Sequence, residues 1–182
     1  STPKPSSAAS DVYKRQWLNA FFSGVTPRTA GFNSIDYADA HPITLMVTDI
    51  YMFIGGGSAG TAGGIKITTA TVLLAAMLAE FKGRDATTVG HRTVPKSVVR
   101  QAMTVTAAGL VAVTAGVATL RICDPQFTAD QVNFEVISAF ATTGLSTGIT
   151  ADLSTPSQLA LCLLMYLCLL YTSDAADEGL GV

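Results

Sequence analysis

Charge is what this chain of 182 residues is shortest of: Asp, Glu, Lys and Arg make up 13% of it, against about 25% in an ordinary soluble domain. So few charges argue against a surface facing water all round. The 49% hydrophobic content and the mean hydropathy of +0.42 point instead to a membrane chain. No basic stripe interleaved with aromatics is present and the formal net charge is -2, which leaves nothing for a nucleic acid to bind. Cysteine is sparse too. Cys123 and Cys162 are too widely separated to suggest a disulfide framework or a metal site, and both read as packing residues. His41 and His91 fall in loop sequence without a pattern that carries chemistry. No GK[ST] closes a phosphate loop, since Lys66 is followed by Ile67.

The two ends read as foreign to the middle. Ser6 to Gln16 (SSAASDVYKRQ) and Cys168 to Glu178 (CLLYTSDAADE) can be encoded by opposite strands of one short DNA duplex that resembles a sequencing-library adapter. The expectation is that residues 1–16 and 168–182 derive from such an adapter, taking Lys4, Lys14, Arg15 and the acidic tail with them. Trp17 to Leu167 is then the genuine protein.

Within that core, Val98 to Ile122 is the clearest membrane span, since about 20 mostly apolar residues cross a hydrocarbon layer of about 30 Å. Its Ala, Gly and Thr content suits close helix packing in lipid. Ile43 to Ile54 and Ile67 to Phe81 are each too short to span. As one straight helix they would run about 58 Å, far beyond what a bilayer needs. The spacing predicts a single crossing element broken by GGGSAGTAGGIK, its irregular backbone facing a cavity or other protein. Leu159 to Leu167 begins a further span. Five of the eight Lys and Arg residues between Trp17 and Leu167 (Lys82, Arg84, Arg92, Lys96 and Arg100) lie between the second short run and the long span, which assigns loop 82–97 to the cytoplasm. That loop is either a solvated linker or a docking surface for a cytoplasmic partner. Asp36 and Asp39 on one side, and Asp124, Asp130 and Glu135 on the other, mark the outer connections.

An internal repeat is present. FFSGVTPRTAGFNSI (Phe21 to Ile35) and FEVISAFATTGLSTG (Phe134 to Gly148) align without gaps, matching Phe21 to Phe134, Thr29 to Thr142 and Gly31 to Gly144. Each places a short apolar helix ahead of a Thr-x-Gly turn, the pattern of a re-entrant pore helix running into a filter. A potassium ion stripped of water needs its oxygen shell replaced, and rings of backbone carbonyls do this without a fixed charge that would trap it. Aiming successive carbonyls at one axis needs backbone angles that glycine reaches cheaply, which selects Gly31 and Gly144 as filter glycines.

The segments TPRTAGFN, GGGSAGTAGGIKITT and FEVISAFATTGLSTGIT resemble the Trk/Ktr/HKT superfamily of potassium transporters, most closely the bacterial Ktr type. The resemblance covers nearly all of Trp17 to Leu167. It implies an all-α integral membrane fold of helix, pore loop and helix repeats, like that of a potassium channel, of which this chain holds the third and fourth repeats as a C-terminal half. Residues 17–81 would be the third pore helix, its filter and a broken inner helix, and residues 98–167 the fourth outer helix, pore helix, filter and the start of the last inner helix. Trp17 to Thr26 and Val132 to Ala141 become the pore helices. The filter residues become Thr29, Ala30, Gly31, Phe32 and Asn33 with Thr142, Thr143, Gly144, Leu145 and Ser146. TAGFN and TTGLS keep the central glycine of a TVGYG-type filter and lack the second. Gly55, Gly56, Gly57, Ser58, Gly60, Thr61, Gly63, Gly64 and Lys66 fall in the family's intramembrane gating loop. Further implications are potassium uptake across a bacterial inner membrane by a multi-pass homodimer, a cytoplasmic ring of nucleotide-binding regulatory subunits, surrounding lipid, and sodium as a candidate coupling ion. No cofactor belongs to this chain.

Single residues admit two readings each. Thr29 and Thr142 offer oxygens to the ion or cap a helix; Arg28 tunes ion entry or pairs with a carboxylate. Lys66 holds the loop or snorkels to the interface. Asp49 reads as a satisfied packing carboxylate rather than an ion ligand. Two enzyme fingerprints overlap the glycine loop: Gly55-x-Gly57-x-x-Gly60 with Glu80 as a dinucleotide site, and Gly56-x-Ser58-x-Gly60 with His91 and Asp85 as a hydrolase. Both are weak in so glycine-rich a run, and the parallel strands or soluble sheet they need are missing. A membrane scaffold without transport is the remaining alternative.

Overall fold

The computed structural model describes residues 16–28, 30–32, 36–38, 40–57, 63–83, 87–89 and 92–178, with backbone alone for 89, 92 and 170–178. Among the described residues there are six helices: α1 (16–25), α2 (Pro42–Phe53), α3 (Ile67–Phe81), α4 (Lys96–Cys123), α5 (Ala129–Phe140) and α6 (Thr155–Glu178). Between α3 and α4 lies a short antiparallel ribbon, β1 (Thr88–Val89) on β2 (Arg92–Thr93), and a 3-10 turn (Ile149–Asp152) precedes α6. The fold is helical, as expected. The basic segment 82–97 carries that ribbon, and its last residues, from Lys96, already belong to α4.

Helix limits follow from local chemistry. Pro42 opens α2, where its fixed φ suits a first turn and its missing N–H costs nothing, and His41 caps it by accepting from the Ile43 N–H. Thr128 and Gln131 form a capping box that starts α5 at Ala129, three residues ahead of the expected Val132. At 28 residues α4 is about 42 Å long, enough to cross a bilayer, and among the described residues it alone is long and apolar enough to do so. Helices α2 and α3 are about 18 and 22 Å and span only in combination. Helix α6 continues past Leu167 to Glu178.

The core is built round α5. Its Val132, Val136, Ala139 and Phe140 pack with Val113 and Leu120 of α4, Leu161 and Leu164 of α6, and Ile149 and Leu153. On its other side Phe134 packs with Tyr37, Leu45 and Met52, which ties α2 to α5. By contrast Leu110, Val111 and Ile122 of α4, and Leu74 and Met77 of α3, are exposed, as lipid-facing residues would be. Cys123 and Cys162, read as packing residues, are exposed as well.

Candidate functional site: paired glycine turns and the adjoining loop

The two segments expected to form a filter meet in the structure. Gly31 and Gly144 both take left-handed φ values, +68° and +83°. A side chain held there costs about 1–2 kcal/mol, so glycine is selected by the backbone itself. A Cβ built on Gly31 would strike the Thr143 carbonyl oxygen, and one on Gly144 would lie 3.9 Å from the Gly31 Cα. A long hydrogen bond from the Thr143 hydroxyl to the Pro27 carbonyl, 3.5 Å, ties the repeats together. Residues 142–146 form irregular chain rather than a regular strand.

One residue beyond each glycine, a hydroxyl on or just after the preceding helix takes a carbonyl. Thr26 Oγ1 donates to the Phe32 carbonyl at 3.0 Å, and Ser138 Oγ to the Leu145 carbonyl at 2.6 Å. Phe32 and Leu145 are equivalent in the repeat, but their donors are not: Thr26 aligns with Ala139, and Ser138 with Val25. This one-residue offset hides the shared bond from an ungapped comparison. The carbonyls of Gly31, Thr142, Thr143 and Gly144 accept no hydrogen bond among the described residues. Thr142 sits at φ +50°, an outlier for a β-branched residue that costs on the order of 1–3 kcal/mol. Thr29 and Asn33 lie outside the described residues, while Ala30 and Phe32 are exposed.

The glycine loop reaches this same place. Its stems are zipped: Gly55 N–H donates to the Ile65 carbonyl (2.9 Å), Ile65 N–H to the Phe53 carbonyl (3.0 Å) and Ile67 N–H to the Gly56 carbonyl (3.2 Å). The end of α2 and the start of α3 are thereby held together. Gly63 abuts the start of the second filter segment, where a Cβ would collide with the Thr142 hydroxyl and the Ala141 carbonyl. Gly64 donates its N–H to Cys168 Sγ at 3.3 Å, and Lys66, half-buried, stands at the N-terminal boundary of α3 without a side-chain capping bond. Gly56 and Gly57 belong to the described part of the loop; Ser58, Gly60 and Thr61 lie outside the described residues.

Three carboxylates are buried or half-buried. Glu135 is buried within α5 rather than placed on an outer connection, and it accepts from Ser146, Thr147 and Thr150. Asp124 joins the end of α4 to the start of α6 by accepting from the Ser154 N–H and hydroxyl, the latter at 2.7 Å. Asp49, expected to be satisfied, has a buried Oδ1 with no hydrogen-bond partner among the described residues. It lines a cleft with Asp130 and Asn133. A usable signal for Glu135 was present: an acid inside an apolar helix, followed by a run of Ser and Thr. Glu80 of the dinucleotide reading stands exposed near the far end of α3 from the loop, and Ser58, Asp85 and His91 of the hydrolase reading lie outside the described residues.

Comparison with known proteins gives a consistent result. The TrkH family model, described as a cation transport protein, matches residues 6–168. The chain is 40% identical over 159 residues to the potassium/sodium uptake protein NtpJ of Enterococcus hirae, covering 86% of this chain and 35% of that protein. It is 38% identical over 156 residues to the Ktr system potassium uptake protein B of Bacillus subtilis, with the same coverages of 86% and 35%. For the protein of that name from Vibrio alginolyticus the identity is 35% over 150 residues, covering 82% and 33%. The chain thus spans about a third of the length of these relatives.

Proposed function

Because the chain belongs to the TrkH family of cation transport proteins, a family of transporters and not of enzymes, we propose that the complete protein carries potassium inward across the plasma membrane. The relatives' names as potassium uptake proteins support this cargo. The observation that carries the reading is the meeting of Gly31 and Gly144 at left-handed φ, with the carbonyls of Gly31, Thr142, Thr143 and Gly144 unclaimed among the described residues. Those oxygens, with Ala30, would replace the ion's water. The Phe32 and Leu145 carbonyls, already engaged by Thr26 and Ser138, would anchor the filter instead of lining it. Thr29, Asn33 and Ser146 complete the two segments.

The loop from Gly55 to Gly64 is read as the gate, because Gly63 presses on Thr142 and Ala141 at the entry to the second segment. Lys66 holds the loop's exit. Loop 82–97 lies on the cytoplasmic side, where its basic residues would face a regulatory ring, and the working form is a homodimer in lipid. Three relatives are named as parts of a Ktr system, which fits a transporter with partner components. Sodium is the coupling-ion candidate. Expression of the full-length gene in bacteria lacking potassium uptake tests the reading: growth at low external potassium should be restored, and a well-expressed protein that fails to restore it would overturn the assignment.

A further inference from the structure

Glu135 is 4% exposed, and a carboxylate so placed is costly unless hydrogen-bonded on every side. Here it is. Oε1 accepts from Ser146 Oγ (2.6 Å), the Thr147 N–H (2.9 Å) and Thr147 Oγ1 (3.2 Å), and Oε2 accepts from Thr150 Oγ1 (2.8 Å). Ser146 Oγ and Thr150 Oγ1 are also 2.8 Å apart, and Ser146 Oγ accepts from the Gly148 N–H at 2.8 Å. Every one of the carboxylate's donors comes from the stretch that follows Gly144 and Leu145. Three residues along the same face of α5, Ser138 holds the Leu145 carbonyl. One helix therefore grips the chain at both ends of Leu145–Thr147. In the other repeat the position equivalent to Glu135 is Phe22, whose side chain has no acceptor to offer.

We propose that Glu135 is a positioning residue for ion selectivity: its carboxylate clamps Ser146–Thr150, and this fixes the direction of the Thr142–Gly144 carbonyls. It is not an ion ligand, since both of its oxygens are directed at protein donors. Among the described residues the fourth-repeat segment is held by a carboxylate and the Ser138 hydroxyl, and the third by the Thr26 hydroxyl. The proposal rests on the filter reading above.

The test measures potassium and sodium uptake, membrane abundance and thermal stability for variants of the full-length protein. Glu135→Ala should lower the potassium-to-sodium ratio roughly tenfold, the weight of one hydrogen bond to a charged group. Glu135→Gln should fall between, because its amide oxygen still accepts. Thr150→Val should give a smaller loss that does not add to that of Glu135→Ala, since both act on one network. Val132→Ala, equally buried on α5, should lower thermal stability with selectivity kept; an equal loss of selectivity there would overturn the clamp by tracing the effect to helix packing. Unchanged selectivity in Glu135→Ala and Thr150→Val, alongside lost selectivity in Gly144→Ser, would end the clamp and leave the filter intact. Unchanged selectivity in all three would end the filter reading itself. Should Glu135→Ala fail to accumulate, Thr150→Val and Ser146→Ala decide, and normal selectivity in both overturns the proposal.

Discussion

Gly31 and Gly144 share a backbone conformation but not a neighbourhood, and the difference sets a graded expectation for their substitution. At Gly144 an added methyl meets nothing closer than 3.9 Å, so Gly144→Ala bears mainly the left-handed backbone cost of about 1–2 kcal/mol. At Gly31 the same methyl must also displace the Thr143 carbonyl, one of the oxygens proposed to face the ion. Gly31→Ala should therefore reduce potassium-over-sodium selectivity more than Gly144→Ala in uptake assays of the full-length protein; the reverse order would separate Gly31 from the ion path. Both glycines could be picked from sequence, because the need for positive φ leaves a residue-type signature. The hydroxyl bolts could not. Thr26 and Ser138 perform one task from positions that do not align, and a bond between a side chain and a carbonyl six or seven residues on leaves no periodic trace. The strain at Thr142 was equally invisible, since threonine gives no warning of positive φ.

Among elements, the glycine loop and the junction of α4 with α6 each make a separate prediction. If the zipped loop closes the path beside the filter, Gly63→Ala should push it off Thr142 and Ala141 and raise potassium flux with selectivity retained. Flux that falls with loss of selectivity would place Gly63 in the filter wall instead. At the junction, hydrogen bonds from Ser157 first, then Ser154 and Gln126, outweigh burial and hold the Asp124 carboxyl below its ordinary value of 3.8. A depressed folded-state pKa means its contribution to stability is complete above the ordinary value and is lost as pH falls through the lowered one. The solubilised protein should thus lose thermal stability progressively below about pH 4. Asp124→Asn should begin less stable at neutral pH and show less of that acid-dependent loss. The helices themselves were legible as apolar runs, with α2 and α3 ending within a residue of the expected limits. The start of α5 was misplaced because its capping box lies in polar sequence ahead of the apolar run. Pairing of Ile54 with Ile65 across the loop is a nonlocal contact, which periodicity along the chain does not encode.

For the whole molecule, the informative comparison is between the two helices that the repeat makes equivalent. Phe134 of α5 is 0% exposed, covered by Tyr37, Leu45 and Met52 of the preceding segment and α2, whereas Phe21 of α1 is 73% exposed. If the repeats are related by rotation about one ion path, each pore helix should rest on the inner helix of the repeat before it, as α5 rests on α2. The partner of α1 would then come from the repeat preceding this one, within the two-thirds of its relatives' length that this chain does not span. Close packing in lipid draws on dispersion contacts more than on exclusion of water, so a covered phenylalanine and a lipid-facing one respond differently to truncation. In the full-length protein Phe21→Ala and Phe134→Ala should destabilise by similar amounts, about 3–5 kcal/mol for a buried Phe. A Phe21→Ala variant that unfolds like the parent while Phe134→Ala does not would leave α1 against lipid, and would break the rotational relation on which a shared four-sided path depends.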